Sequence, residues 1–246
     1  MSFYSSIARY YDEIFHYDNR NADFIIREIP SLSNGGKVID IGCGTGSLAI
    51  DLASRGCDVT AVDFDSEMIA AAEKKSTGTK PSFSRMDMRT VKEHYPPASF
   101  DAVLCTGNTL ANLRDSSDVM NTLSGFSEIL KEGGTILIQI LNYNHIVSHN
   151  VTALPTMTTN QFRFERTYSF REDGKIGFRA EFIGNDGKHF SNEITIHPLM
   201  KEELTAVLLC AGFSDIRFFG GMNGEELTDA SLPLVCIAGK ISDCHD

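Results

Sequence analysis

Apolar and polar positions alternate along the first 141 residues with two periods, one typical of strands and one typical of helices. Short apolar runs predict strands at 38–41, 58–63, within 81–87, 99–106 and 135–141. Apolar positions spaced three and four residues apart predict helices at 47–55, 66–75 and 115–131. Strands that alternate with helices predict a parallel sheet with helices on both faces, an α/β doubly wound architecture.

A strictly alternating pattern replaces this one in the C-terminal half. Apolar and polar side chains alternate along 162–170, 176–183 and 188–197, and turns rich in Asp and Gly join these runs. Such runs predict an antiparallel meander. The α/β pattern then returns with a helix at 201–213 and strands at 215–220 and 234–240.

These two patterns divide the chain. We expect an α/β domain formed by 1–141 and 199–241, interrupted by an antiparallel β insertion at 142–198. Three roles stay open for the insertion: it covers a substrate site, forms a dimer surface, or packs on the main sheet. The sequence is compatible with a monomer or a homodimer.

Composition limits the kinds of partner that the chain is expected to bind. The 246-residue chain has a formal net charge of −11 and a pI near 5.1. An acidic surface disfavours broad contact with phosphate backbones or anionic lipids, so we expect no nucleic-acid and no membrane partner. The N-terminus has no signal-peptide pattern, and no apolar run approaches the length of about 20 residues that a membrane helix needs. Six scattered cysteines indicate reduced thiols, a cytoplasmic location and no metal site.

A glycine-rich turn follows the first predicted strand and precedes the first predicted helix. Gly42, Gly44 and Gly46 form a G-x-G-x-G pattern, and Ser47 stands where a dinucleotide motif would have its last glycine. Asp40 precedes the turn, and a carboxylate there disfavours a pyrophosphate and favours a cationic ligand. A nicotinamide-dependent oxidoreductase is therefore the weaker interpretation.

Two further acids follow the next strands. Asp63 ends the second strand, 21 residues after Gly42, where a carboxylate accepts hydrogen bonds from ribose hydroxyls. Asp87 follows the third strand, where it would accept from an adenine amino group. Together the turn and the acids predict a site for a nucleoside joined to a cationic amino acid.

The segments VIDIGCGTG, VTAVDFDSEMI and SRMDMR resemble those of class I S-adenosylmethionine-dependent methyltransferases. The resemblance implies a Rossmann-like, doubly wound, seven-stranded sheet whose last strand is antiparallel. It implies S-adenosylmethionine as cofactor and S-adenosylhomocysteine as product. The implied contacts to the methionine end are Asp40, Gly42 and Gly44, and Cys43 between the glycines is a further candidate cofactor contact. Those to the nucleoside are Asp63, Phe64, Met68, Asp87 and Met88.

Three segments are more specifically similar to glycine N-methyltransferases. They are RNADFI (20–25), CTGNTLANL (105–113) and LNYNHI (141–146). The similarity assigns the cofactor carboxylate to Arg20, with Tyr4 of an N-terminal lid beside it. Leu141 stands where those enzymes have a substrate-binding arginine, so the same mode of glycine binding is not expected. The remaining candidate cofactor contacts are Tyr11, Thr106, Gly107 and Asn108.

The implied reaction is an in-line displacement, which needs positioning and exclusion of water more than acid–base groups. Tyr143, His145 and His197 follow strand ends and are the candidate catalytic residues, which would orient a lone pair or accept a proton. We expect methyl transfer to a nitrogen or oxygen of a small-molecule acceptor. A protein methyltransferase and a non-catalytic S-adenosylmethionine-binding protein are the alternatives. Partners for an anionic acceptor would be Arg163, Arg166 and Arg179.

Overall fold

The structure, a computed structural model, describes residues 3–78 and 81–242, without the side chains of Phe3 and Tyr4. Its strands are β1 (Lys37–Ile41), β2 (Asp58–Asp63), β3 (Ser82–Arg85), β4 (Phe100–Cys105), β5 (Leu130–Leu141), β6 (Ala153–Thr158), β7 (Phe162–Phe170), β8 (Ile176–Gly184), β9 (His189–Ile196), β10 (Phe213–Phe219) and β11 (Pro233–Lys240). Its helices are α1 (Phe3–Ile7), α2 (Tyr11–Ile14), α3 (Arg20–Glu28), α4 (Ser47–Ser54), α5 (Ser66–Lys75), α6 (Val91–His94), α7 (Ser116–Ile129), α8 (Tyr143–Ser148) and α9 (Lys201–Cys210).

Seven of the strands form one sheet in the order β10-β11-β5-β4-β1-β2-β3. β1 pairs in parallel with β2 and β4, and β11 runs antiparallel to both β5 and β10. Successive residues of β1 pack into different cores, with Val38 on one face of the sheet and Ile39 on the other. This arrangement confirms the predicted doubly wound sheet and its antiparallel last strand.

The meander forms a second sheet in the order β6-β7-β8-β9, which we call the cap sheet. Its edge strand β6 was not predicted, because Pro155 interrupts the alternating pattern and an edge strand is where proline is tolerated. Helix α8, also unpredicted, is short and begins at Asn142, whose side chain accepts a hydrogen bond from the His145 amide.

The N-terminal helices pack on the cap sheet. Ile7, Tyr10 and Ile14 share one buried cluster with Phe162 and Phe182. The Tyr10 ring centroid lies 4.7 Å from that of Phe182 and 5.7 Å from that of Phe162. The first helices and the insertion are therefore one packing unit, although strands β1 to β5 of the central sheet separate them along the chain. The division at 142 and 198 remains a prediction.

The predicted boundary between helix α7 and strand β5 was wrong. The helix was expected to continue to 131 and the strand to begin at 135, but the helix ends at Ile129 and β5 begins at Leu130. Leu130 pairs with Phe100, and Gly133 has a φ of +67°, so the strand passes through the glycines by an irregularity in its register. The glycines thus bend a strand and do not end a helix.

In the part of the chain that the structure describes, none of the helices combines the length and the apolar character needed to cross a membrane.

Substitution of Gly46 measures how tightly the neighbours of the turn pack against it. Its φ is +75°, and an ideal Cβ there would lie 2.8 Å from the Phe83 ring and 2.9 Å from the Cβ of Ala72. We expect Gly46→Ala to lower the free energy of unfolding by about 1–2 kcal/mol for the left-handed backbone and by about 1–3 kcal/mol more for the collision. Urea denaturation measures the total loss in the free energy of unfolding.

Gly56→Ala is the matched control, because Gly56 has a φ of +95° and no atom within 4 Å of an ideal Cβ. It should carry the backbone penalty alone. Equal losses in the two variants would contradict the packing described for Gly46.

Candidate active site

A cleft of about 380 Å³ opens where β1, β2 and β4 end, on the carboxyl edge of the central sheet. This is where open α/β sheets bind ligands. The cleft is lined by Tyr11, Ile41, Gly42, Gly44, Asp63, Phe64, Asp65, Met68, Met86, Asp87, Met88, Arg89, Gly107, Thr109, Asn112, Leu113, Arg114 and Asp118. Nine of the residues proposed as cofactor contacts are therefore in one cleft, namely Tyr11, Gly42, Gly44, Asp63, Phe64, Met68, Asp87, Met88 and Gly107.

The floor of the cleft is the glycine turn, and side chains from two other elements lie against it. Gly42 has a φ of +74°, and an ideal Cβ there would lie 2.5 Å from the side chain of Thr109. Gly44 has a φ of +55°, and its ideal Cβ would lie 3.2 Å from the ring of Tyr11. A side chain at either position would displace a neighbour or strain the backbone, so both glycines are required by conformation and by contact. Cys43 contributes its amide to Val62 and does not line the cleft.

Asp63 joins the turn to the end of β2. Its Oδ2 accepts a hydrogen bond from the amide of Gly44 at 2.8 Å, and its Oδ1 accepts one from the amide of Asp65 at 2.9 Å. Burial raises the pKa of Asp63. Because each carboxylate oxygen has two acceptor positions, Asp63 is held in place and still presents acceptors to the cleft that it lines.

Asp40 is a buried carboxylate behind the cleft. It is 1% exposed, and its Oδ1 accepts no hydrogen bond from the residues that the structure describes. Burial, and then the negative charge of Asp63, raises the pKa of Asp40 to about 7. Asp40 does not itself line the cleft, whereas its neighbours Ile41 and Gly42 do. The backbone of Ile41 and Gly42 therefore separates the charge of Asp40 from the cleft. A cationic ligand in the cleft would stabilise the ionised form of Asp40.

The side of the cleft beyond β2 is apolar with a charged rim. Phe64 is 64% exposed, and the guanidinium of Arg85 lies 5.5 Å from its ring centroid. Met68 is buried beside it. Asp87 accepts hydrogen bonds from the amide and the Nε of Arg89, both at 3.0 Å, and the Arg89 side chain lowers the pKa of Asp87. An exposed ring and a buried thioether in the lining of one cleft suit a flat heterocycle.

The segment after β4 supports the cleft more than it lines it. Gly107 lines the cleft and donates its amide to Oε1 of Gln139 at 2.7 Å, an anchor that sequence reasoning missed. Asn108 has a φ of +63°, and its Oδ1 accepts from the amide of Leu141 at 3.0 Å. The carbonyl of Thr106 accepts from the hydroxyl of Thr109 at 2.7 Å, which orients Thr109 over Gly42. Thr106 and Asn108 therefore position the loop from outside the cleft.

A polar cluster fastens the N-terminal helices over the turn. Nζ of Lys75, at the end of α5, lies 2.5 Å from Oδ2 of Asp12, and it donates to Oγ of Ser47 at 2.8 Å and to Oγ1 of Thr45 at 3.0 Å. Thr45 in turn donates to Oδ1 of Asp12 at 2.5 Å. Burial raises the pKa of Asp12, but these hydrogen bonds, that of Lys75 foremost, outweigh it and leave the pKa low. We call this group the latch, because Asp12 follows Tyr11 in α2. Sequence reasoning found none of these contacts.

Arg20 and Tyr4 are the other two N-terminal residues that were predicted to contact the cofactor. Arg20 begins α3, but its side chain is 79% exposed and paired with Asp18, and it does not line the cleft. Its assignment to the cofactor carboxylate gains no support from this geometry, because the nearby Asp18 already takes its charge. The side chain of Tyr4 lies outside the described part of the chain.

The three candidate catalytic residues lie away from the cleft lining. Tyr143 is fully buried, and its hydroxyl lies 2.9 Å from Nδ2 of Asn108. Nδ1 of His145 lies 2.6 Å from the carbonyl oxygen of Asp229, and Nε2 of His197 lies 2.8 Å from Oε1 of Glu203. These partners give each side chain a structural role, and we do not carry the catalytic assignments forward.

Residues 38–134 match the methyltransferase domain family. A glycine/sarcosine N-methyltransferase from Aphanothece halophytica is 29% identical over 216 residues, which are 85% of this chain and 79% of the relative. An S-adenosylmethionine-dependent methyltransferase from Clostridium acetobutylicum superposes with a TM-score of 0.82 at 22% identity, over 98% of this chain and 100% of that one. S-adenosylmethionine-bound CalS10, an amino pentose methyltransferase from Micromonospora echinaspora, has a TM-score of 0.66 at 18% identity, over 92% of both chains.

The sheet order, the cleft at its carboxyl edge and these similarities define the class of protein. Residues 38–134 carry the methyltransferase domain, and the whole chain has the fold of S-adenosylmethionine-dependent methyltransferases. The matching domain family is one of enzymes, and S-adenosylmethionine is the cofactor of the two structurally similar proteins.

The residues present fit that cofactor. Four carboxylates line the cleft, whereas its two guanidinium groups, on Arg89 and Arg114, are each paired with one of them. The cleft is thus acidic overall, with the orphaned oxygen of Asp40 behind it, and suits a cationic ligand without phosphates. Within 3–78 and 81–242, the histidines, cysteines and acids form no group of three that would hold a metal ion.

Asp40 makes cofactor affinity depend on pH. Its carboxyl group is about half protonated near pH 7, and only its ionised form attracts a cation. We expect the Kd for S-adenosylmethionine to fall as the pH rises from about 6 to about 8, and binding near pH 7 to release on the order of half a proton from Asp40. Calorimetric titration in buffers of different ionisation enthalpy measures both quantities.

Asp40→Asn is the control, since it keeps the size of the side chain and removes its titration. The titration of the cofactor itself is common to both proteins and cancels in the comparison. If the variant showed the same pH slope as the wild type, Asp40 would not be the responsible group.

The latch is expected to contribute to cofactor affinity through Tyr11. Lys75→Met removes three polar contacts and should raise the Kd for S-adenosylhomocysteine about tenfold, because charged hydrogen bonds hold α2 over the turn. Lys74→Met, one residue away on the same helix, is the matched control and should leave the Kd unchanged. Equal affinities in both variants would show that the latch does not hold the cofactor site closed.

Proposed function

We propose that this enzyme transfers a methyl group to a small-molecule acceptor and that the acceptor atom is an amine nitrogen. The similar protein from Aphanothece halophytica is a glycine/sarcosine N-methyltransferase, and the structurally similar CalS10 is an amino pentose methyltransferase. Both names are compatible with a small acceptor that carries nitrogen.

One observation carries the proposal, the enclosure of the cleft by two elements that are packed on each other. Tyr11 lies against Gly44 at the cofactor site, while Tyr10, the residue before it, is buried between Phe162 and Phe182 of the cap sheet. The N-terminal helices thus bridge the cofactor cleft and the cap sheet. An acceptor that reaches the cofactor beneath such a cover is small, because a protein surface or a nucleic acid would require the bridge to be displaced.

The residues of the chain have three tasks in this reaction. Bound S-adenosylmethionine supplies a methyl group on a cationic sulfur; the amine lone pair forms the new C–N bond, the C–S bond breaks, and its electron pair remains on sulfur. Asp63 is proposed to hold the ribose hydroxyls, and Phe64 and Met68 to hold the adenine. Tyr11 excludes water from the donor side. The proton that the methylated nitrogen loses passes to solvent, and no side chain is assigned to it.

The proposal is tested by methyl transfer from labelled S-adenosylmethionine to a panel of small amines, small alcohols, peptides and RNA. We expect label on the amines alone. Asp63→Asn should lower kcat/KM by at least about tenfold, since it weakens a buried acceptor of charged character. Asp58→Asn is the control, because Asp58 lies at the opposite end of β2 and is exposed.

Label on peptide or RNA, with the small amines left unmodified, would contradict the proposed acceptor class. Label on alcohols alone would contradict nitrogen as the acceptor atom and leave the small-molecule class in place.

A further inference from the structure

Two neighbouring histidines lie outside the cofactor cleft, on and just after helix α8. His145 belongs to the helix, and His149 follows one turn later, where its amide donates to the carbonyl of His145 at 3.0 Å. Residues four apart on a helix lie on the same face. The two ring centroids are accordingly 4.5 Å apart, and neither residue lines the cleft. We call these two residues the histidine pair.

Hydrogen bonds determine which nitrogen of each ring carries the proton. Nδ1 of His145 lies 2.6 Å from the carbonyl oxygen of Asp229, and Nδ1 of His149 lies 3.2 Å from the carbonyl oxygen of His145. A carbonyl oxygen only accepts, so Nδ1 is the protonated nitrogen of both rings. Oγ of Ser148, 2.9 Å from Nδ1 of His149, is a second acceptor for the same proton. In the neutral imidazoles the lone pair is therefore on Nε2.

Both lone pairs are open to a ligand from solvent. His149 is exposed and His145 is half-buried. In each ring Nδ1 faces a backbone carbonyl, so Nε2 faces away from that carbonyl. Among the residues that the structure describes, neither Nε2 takes part in a hydrogen bond or an ion pair. The pair thus presents two bare imidazole nitrogens from one helical turn.

The separation of the rings fits a particular coordination geometry. Histidine ligands commonly bind a metal through one nitrogen while the other donates to a carbonyl, which fixes the tautomer and the ring. At metal–nitrogen distances of about 2.1 Å, two imidazoles at a right angle around one ion have centroids roughly 4.6 Å apart, and two at the tetrahedral angle roughly 5.3 Å apart. The observed 4.5 Å corresponds to the right angle.

We propose that His145 and His149 bind one divalent transition-metal ion through their Nε2 atoms. A right angle between nitrogen ligands is typical of square-planar and tetragonal sites, so Ni²⁺ and Cu²⁺ are the expected ions. Within 3–78 and 81–242 no third histidine, cysteine or acid completes a cluster, so water is assigned to the remaining positions. The expectation of no metal site rested on the cysteines, whereas this site consists of imidazoles alone.

Calorimetric titration with Ni²⁺ tests the proposal. We expect His149→Gln and His145→Gln each to raise the Kd of this site at least about tenfold, because a chelating pair becomes a single ligand. His94→Gln is the matched control, since it removes an exposed histidine at the end of α6 and should leave the Kd unchanged. Unaltered affinity in His149→Gln would overturn the proposal.

The acids of the cofactor cleft are the competing place for a cation, and a second titration separates the two. With S-adenosylhomocysteine at saturation the Kd for Ni²⁺ should be the same as without it, because the histidine pair does not line the cleft. Loss of Ni²⁺ binding on addition of that ligand would assign the ion to the cleft and overturn the proposal.

The tautomers are measured on the unmodified protein, so this test stands even where a variant fails to fold. Long-range proton–nitrogen NMR spectra of the neutral rings should show the proton on Nδ1 of both His145 and His149. A proton on Nε2 of either ring would contradict the geometry on which the site depends.

Discussion

The turn after β1 constrains the rest of this structure, because four different elements pack where its glycines have no side chain. Thr109 lies against Gly42, Tyr11 against Gly44, and Phe83 with Ala72 against Gly46. All three glycines have positive φ values. The loop after β4, helix α2, strand β3 and helix α5 are therefore positioned by one five-residue segment. Glycine is required at these positions because neighbouring side chains lie close against the backbone of the turn, and not because the turn has to be flexible.

Charge determines which ligands the cleft favours. Asp63 lines the cleft, the buried Asp40 lies behind it, and the arginines of the lining are neutralised by neighbouring acids. Burial, and then the charge of Asp63, raises the pKa of Asp40, so a cationic ligand would stabilise its ionised form.

The sequence was sufficient for the central sheet and the cofactor cleft, because both depend on local patterns. Apolar runs and spaced acids identified β1, β2 and the positions of Asp40 and Asp63, and the cleft lining includes most of the nucleoside contacts named from the resemblance. The reason is geometric: parallel strands bring their carboxyl ends to one edge, so the order of motifs along the chain determines their proximity.

Long-range packing explains what the sequence did not reveal. The latch joins Asp12 to Lys75 across 63 positions, and the cap joins Tyr10 to Phe182, and neither pair has a local pattern. Tyr143, His145 and His197 were chosen as residues near strand ends, but their partners are scaffold atoms of Asn108, Asp229 and Glu203. The three arginines of the cap were equivalent in sequence, and only the face of the sheet distinguishes them.

Hydrogen–deuterium exchange with and without S-adenosylhomocysteine tests the central claim most directly, namely that the glycine turn and the N-terminal helices form one cofactor-binding unit. The account predicts that the ligand slows exchange together in residues 5–15, 42–46 and 63–68, while the outer strands of the main sheet at 213–219 remain unaffected. Protection of the turn and of 63–68, with residues 5–15 exchanging as fast as in the free protein, would contradict it. In that event the helices would cover the cleft without contributing to the site.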